Sequence, residues 1–159
     1  MIGAIKRSLS DQERQQLLHS LPSFLFRARR KVAQQELDAG VAEVLNLEII
    51  RAWDMNGCRP PCCPNIYLFQ VGEKEYVYAE SWTAFDYPGG QFPRRRLHIV
   101  LSPLTKRILS AHPEGDIVPL DDSPFDPATD YFILSGGAEC DVLQSNEMPE
   151  EVLSLLTAT

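Results

Sequence analysis

The period of the apolar positions changes near residue 45. Before that point apolar side chains recur at intervals of three and four, as on one face of a helix. Ser10-Asp11-Gln12-Glu13 is a capping-box pattern, in which the Ser10 hydroxyl accepts from the Glu13 N–H and the Glu13 carboxylate reaches back. It predicts a helix over residues 11–20, closed before Pro22. A longer helix is expected from Ser23 to Val44, with Phe26, Val32, Ala33, Leu37, Val41 and Val44 near helical spacing and Gly40 as its potential break.

Beyond residue 45 the pattern is that of strands. Leu47, Ile49, Arg51 and Trp53 alternate with Glu48, Ile50 and Ala52. Ile66 to Val71 is apolar on both faces, as in a central strand. Gly72-Glu73-Lys74 reads as a hairpin connection to a strand over Glu75–Trp82, and Arg95–Leu101 is the fourth strand. Ser102-Pro103 has the form of an N-cap followed by Pro at the first helical position, which predicts a short helix to Ala111; strand–turn–strand is the competing reading. Residues 113–130 are rich in Pro and Asp and read as loop, with a short strand at Ile117-Val118. Tyr131–Leu134 and Glu139–Leu143 read as short strands. Pro149 opens a last helix with Glu150 and Glu151 in its first turn and Met148, Val152, Leu155 and Leu156 as its apolar stripe.

Helices, then consecutive strands, then a helix predict an α+β fold: N-terminal helices, a mainly antiparallel β-meander sheet and a short C-terminal helix. The 159 residues fit one globular domain spanning 1–159, at roughly 100–200 residues per domain. A 44% hydrophobic and 23% charged composition is that of a folded chain. No apolar run approaches the ~18 residues of a membrane-spanning helix, and the first fifteen residues lack the apolar stretch of a secretory signal. The expected location is the cytoplasm, where thiols stay reduced and the four cysteines are free or bind metal.

If the four middle strands form a meander, their first connection (residues 55–65) and third connection (83–94) leave at the same end of the sheet. Long loops of this kind carry function more often than tight turns do. The first contains Cys58, Arg59, Cys62 and Cys63; the third contains Phe85, Tyr87 and Phe92 and runs into Arg94, Arg95 and Arg96. Aromatic residues and arginine are the usual anchors of protein interfaces, so Phe85, Tyr87, Phe92, Arg59, Arg94, Arg95 and Arg96 form a candidate binding rim. The competing reading is a loop folded back on its own aromatics.

Cys58, Cys62, Cys63 and Cys140 are a pool of soft ligands suited to zinc or an iron–sulfur cluster. Their C-x3-C-C spacing lacks the paired C-x2-C repeat, and packing as small apolar residues competes with ligation. A nucleophilic cysteine needs a base or a positive charge; Arg59 beside Cys58, and His98 on a nearby strand, are the available partners. His19 and His112 have no motif around them.

Residues 1–34 carry a net charge of +5 and residues 35–159 a net charge of −12. Arg27, Arg30 and Lys31 share a helix face and could grip phosphates, but the overall charge of −7 opposes nucleic-acid binding. Asp116, Asp121, Asp122, Asp126 and Asp130 lack the compact spacing of a calcium loop. Phosphate-binding glycine loops, H-E-x-x-H and G-x-S-x-G are missing from the sequence. With no catalytic constellation evident, the expectation is a non-catalytic adaptor, assembly factor or regulator that binds another protein, with no cofactor. A cysteine-ligated metal protein holding zinc or an iron–sulfur cluster is the alternative, and a small thiol enzyme follows it.

Overall fold

A computed structural model describes residues 2–19, 27–55, 64–123, 139–148 and 150–158. A short strand β1 (Ile5–Ser8) leads into α1 (Asp11–His19), and α2 (Arg27–Ala39) into β2 (Val41–Glu48). The strands β3 (Arg51–Asp54), β4 (Asn65–Gln70), β5 (Glu75–Ser81), β6 (Arg94–Leu101), β7 (Ile108–Ile117), β8 (Leu120–Asp122) and β9 (Cys140–Gln144) follow. A single 3₁₀ turn (Ser145–Glu147) precedes the C-terminal helix α3 (Glu150–Thr157). The fold is α+β, with two sheets in the orders β1-β2-β6-β7 and β8-β3-β4-β5-β9. Among the described residues every pairing is antiparallel except β3 with β8.

The capping box at the start of α1 forms as its residues predict. The Glu13 N–H donates to Ser10 Oγ at 3.2 Å, and the Ser10 N–H donates to Glu13 Oε2 at 2.8 Å. Arg7 closes the Glu13 carboxylate in a two-pronged pair at 2.8 and 2.6 Å. The second helix is shorter than expected. It ends at Ala39, and Gly40 takes the left-handed conformation at φ 64°. The positive φ favours glycine there, while a Cβ would meet only the movable end of the Arg14 side chain at 2.7 Å. Val41 and Val44, expected on the helix, belong to β2 instead, where β-branched side chains fit a pleated surface.

The expected four-strand meander is corrected to two sheets. β3, β4 and β5 are consecutive neighbours, with β4 at the centre of its sheet as its apolar run predicts. β6 crosses to the other sheet, between β2 and β7. The sheets are joined at corners where a strand changes ladder. The Ile49 N–H donates to the Arg95 carbonyl, the Ile50 N–H to that of Gln70, and the chain passes from β2 into β3. Likewise the Val118 N–H donates to the Pro93 carbonyl before β8 joins β3.

Strand alternation sorts the apolar residues into layers. Leu45, Leu47, Leu97, Ile99 and Ile108 of one sheet face Ala52, Tyr67, Phe69, Val77 and Cys140 of the other across the main core. Leu9, Leu17 and Leu37 cover Ala42, Val100 and Leu109 on the outer face of the first sheet. Met148 and Leu156 cover Trp53, Leu68, Tyr76 and Tyr78 on the outer face of the second. In α3, Val152 and Leu153 join this cluster, while Leu155, expected in the stripe, is exposed.

The helix expected after Ser102 is absent, and the competing strand–turn–strand reading describes the segment. The Ser102 N–H donates to the Arg107 carbonyl, the Lys106 N–H to that of Ser102, and Lys106 turns the chain at φ 53°. The cause is distant in sequence. Glu36, only 2% exposed, accepts from the backbone N–H groups of Leu104 and Thr105 at 2.8 Å each and from the Thr105 hydroxyl. No local pattern announces a cap supplied from α2. The strand expected at Tyr131–Leu134 lies outside the described residues. Among the described residues no helix is long and apolar enough to cross a membrane.

Candidate functional site: an aromatic cleft beside the loop from Trp82 to Pro93

The loop from Trp82 to Pro93 connects β5 to β6 across the two sheets. It opens on a turn in which Ser81 Oγ accepts from the Ala84 N–H at 3.1 Å. It folds on its own aromatic residues. Phe92 sits among Tyr67, Phe69, Phe85 and Tyr87, with ring centroids 5.1–6.1 Å away. Phe85 is 3% exposed and meets Tyr67 edge-on at 5.5 Å. Tyr87 is half-buried, lies parallel to Phe92 at 5.7 Å, and donates its hydroxyl proton to the Ala111 carbonyl at 2.6 Å. Burial pushes the Tyr87 phenol above its ordinary range, so it remains a neutral donor.

Between this loop and the end of β4 lies a cleft of about 350 Å³. Its aromatic wall is Tyr67, Phe85, Tyr87 and Phe92, and Gly89 and Gly90 border it with backbone alone. A Cβ at either glycine would meet nothing within 4 Å. Leu120 of β8 also lines the cleft, and Asp86 is the one charged residue of the described lining.

Asn65 is the unexpected member of this lining. By strand alternation Asn65, Tyr67 and Phe69 share the core face of β4, where an apolar residue is the rule. Asn65 is 6% exposed, and no hydrogen bond joins its carboxamide to another described side chain or loop, although it can donate twice and accept twice. Among the described residues no buried side-chain nitrogen or oxygen lacks a partner, so the open valences of this amide face the cleft rather than the dry core. Its carboxamide borders the cleft and remains available to whatever enters it.

The structure brings Phe85, Tyr87 and Phe92 together, an arrangement common to the rim reading and to the competing reading of a loop folded back on its own aromatics. Asn65 pairs with Ser81 in the β4–β5 ladder, so the residue closing the first long connection stands beside the one opening the third. The arginines are held away from the described cleft lining. Arg94 donates to the Gln91 carbonyl and side chain and to the Gly115 carbonyl. Arg95 donates to the Ile49 carbonyl at the sheet corner, and Arg96 lies 3.7 Å from Glu114. Arg59, Cys58, Cys62 and Cys63 lie outside the described residues.

Cys140, the remaining thiol of the metal pool, is on β9 with its side chain in the main core. Burial pushes its thiol up to about 12, so it is a neutral apolar group at physiological pH. It borders a second cavity of about 190 Å³ beside Ile2, Leu45 and the Lys106–Glu43 ion pair. Among the described residues no three histidine, cysteine or acidic side chains gather as a metal site. Among the described residues His98 meets Asn46 and Glu114: its Nδ1 is 2.5 Å from Asn46 Oδ1, and its Nε2 is 3.7 Å from Glu114. The helix cations Arg27, Arg29 and Arg30 fall on α2, with side chains outside the description; Lys31 is exposed.

Sequence reasoning singled out three of the aromatic residues and missed Asn65. The signal was present: Asn65 leads a strand whose alternate positions, Tyr67 and Phe69, are core aromatics. Comparisons with protein-family models, curated proteins and solved structures found no match.

Proposed function

We propose that the chain is a non-catalytic binding module that takes an extended segment of another protein into the aromatic cleft. The observation that carries this reading is the Asn65 carboxamide, open to the cleft, beside a wall of four aromatic rings. A carboxamide offers one donor and one acceptor side by side, which complements the N–H and C=O of a peptide backbone. Rigid aromatic faces supply contact area at low entropic cost. The glycines at Gly89 and Gly90 let a guest backbone come close. The described lining contains no histidine, cysteine, serine or lysine, so it offers no conventional nucleophile and base.

The test is selection of random linear peptides displayed against the whole chain, followed by binding of the enriched peptides to Tyr87→Ala. The expected result is a shared motif whose binding falls at least about tenfold in the variant, in line with the loss of an aromatic anchor. Enriched peptides that bind wild type and Tyr87→Ala alike contradict the reading.

A further inference from the structure

We propose that the cleft selects an arginine side chain of the bound segment, with its guanidinium laid on the aromatic wall and paired with Asp86. The inference rests on the peptide reading above and adds the chemistry of the central contact. Three features of the lining support it. First, its charge has one sign: Asp86 is the one ionised group among the described lining residues, and it is exposed. The cations at the start of β6 are engaged elsewhere, Arg94 on Gln91 and Gly115, Arg95 on Ile49 and Arg96 beside Glu114. An anionic guest would meet repulsion from Asp86 with no compensating cation among the described lining residues.

Second, ring faces carry negative potential and attract cations. Tyr87 and Phe92 lie parallel, within 12° of each other, and both are only partly buried. Third, the polar groups at the wall are suited to accept. Asn65 offers its carbonyl oxygen, and Asp86 a carboxylate. The Tyr87 hydroxyl proton is already committed to Ala111. A guidinium-type fork has five donors and no acceptor, so it can use these groups without leaving a lone pair of its own unmatched. Guanidinium is also flat and more weakly hydrated than ammonium, which lowers the cost of entering a half-buried aromatic slot. The net charge of −7 draws the same kind of partner toward the chain.

The experiment is a titration of the ¹⁵N-labelled full chain with three probes: N-acetyl-arginine methylamide, its citrulline counterpart and its lysine counterpart. Citrulline keeps the shape of arginine and removes the charge. The expected result is saturable shifts of the Tyr87, Gly89 and Gly90 amides with arginine, and saturation by citrulline only at roughly threefold to thirtyfold higher concentration. Lysine falls between the two. In Asp86→Asn, whose remaining spectrum should superimpose on wild type, arginine weakens toward citrulline. Equal saturation by arginine and citrulline overturns the inference, as does an arginine response unchanged in Asp86→Asn. If selected peptides without arginine still bind and still depend on Tyr87, the arginine inference fails and the peptide reading stands. If selected peptides ignore the Tyr87→Ala change, the peptide reading itself fails.

Discussion

Two connections on β6 treat buried polar groups in opposite ways. The turn from Ser102 to Arg107, after β6, is saturated. Glu36 accepts from Leu104 and Thr105, and the fully buried Ser102 accepts at Oγ from the Arg107 N–H at 3.1 Å. The loop from Trp82 to Pro93, before β6, is held by aromatic packing, and the Asn65 carboxamide beside it faces an open cleft. A buried polar group with all its partners in place holds a fold together. One whose open valences face a cleft is available to a guest. The first connection is therefore structural, and the second carries the proposed site.

The largest expected effect falls on the packing side of this contrast. Phe85→Ala removes a ring that touches Tyr67, Phe69 and Phe92, and should cost about 3–5 kcal/mol in urea unfolding. A loss below about 1 kcal/mol would show that the loop does not depend on its aromatic interior. Glu36→Leu should follow, at about 2–4 kcal/mol, because it strands two backbone donors of the turn. Glu36→Gln keeps one acceptor oxygen and should lose clearly less. Equal losses in the two variants would mean that Glu36 acts by shape alone.

A smaller effect is expected from pH. The hydrogen bond from Arg7 holds the Glu13 carboxyl below its ordinary value of 4.5, against the opposing pull of burial. A carboxylate lowered in the folded state stabilises it above the unfolded value, and that stability is lost as pH falls through the lowered value. Arg7→Ala should therefore reduce stability by up to about 1 kcal/mol at pH 7. It should also flatten the loss of stability on acidification below 4.5. An acid limb as steep as that of wild type would remove Arg7 as its source. The smallest change in stability is expected from Asn65→Leu, within about 0.5 kcal/mol of wild type or more stable, because the carboxamide faces the cleft and no hydrogen bond to another described side chain is broken. A loss near that of Glu36→Leu would erase the difference between the two connections.

Local signals in the sequence were faithful where neighbours in the chain are neighbours in space. The Ser10–Glu13 box, the Gly72-Glu73-Lys74 hairpin and the central position of β4 depend on contacts within one element or one tight pair. Val41 and Val44 have helical spacing from Leu37, yet Gly40 and the pairing of β2 with β6 draw them into a sheet. Pro103 has the position of a helix start, yet Glu36, 68 residues away from Leu104, caps the segment as a turn. The division into two sheets was equally hidden, because the corner at Ile49 carries no turn residue of its own and reads as continuous strand, and the corner at Val118 falls in a segment that reads as loop. At the site, aromatic clustering identified Phe85, Tyr87 and Phe92. Asn65 needed the burial of its strand face to be known first.

The most direct test of the account is the affinity of a selected peptide for Asn65→Leu, measured by isothermal titration calorimetry. If the carboxamide is held in readiness for a guest, affinity falls about tenfold or more, the size of one lost hydrogen bond with its partner left unmatched. Affinity equal to that of wild type would contradict the central claim that this cleft, through the Asn65 carboxamide on its wall, is where the chain binds.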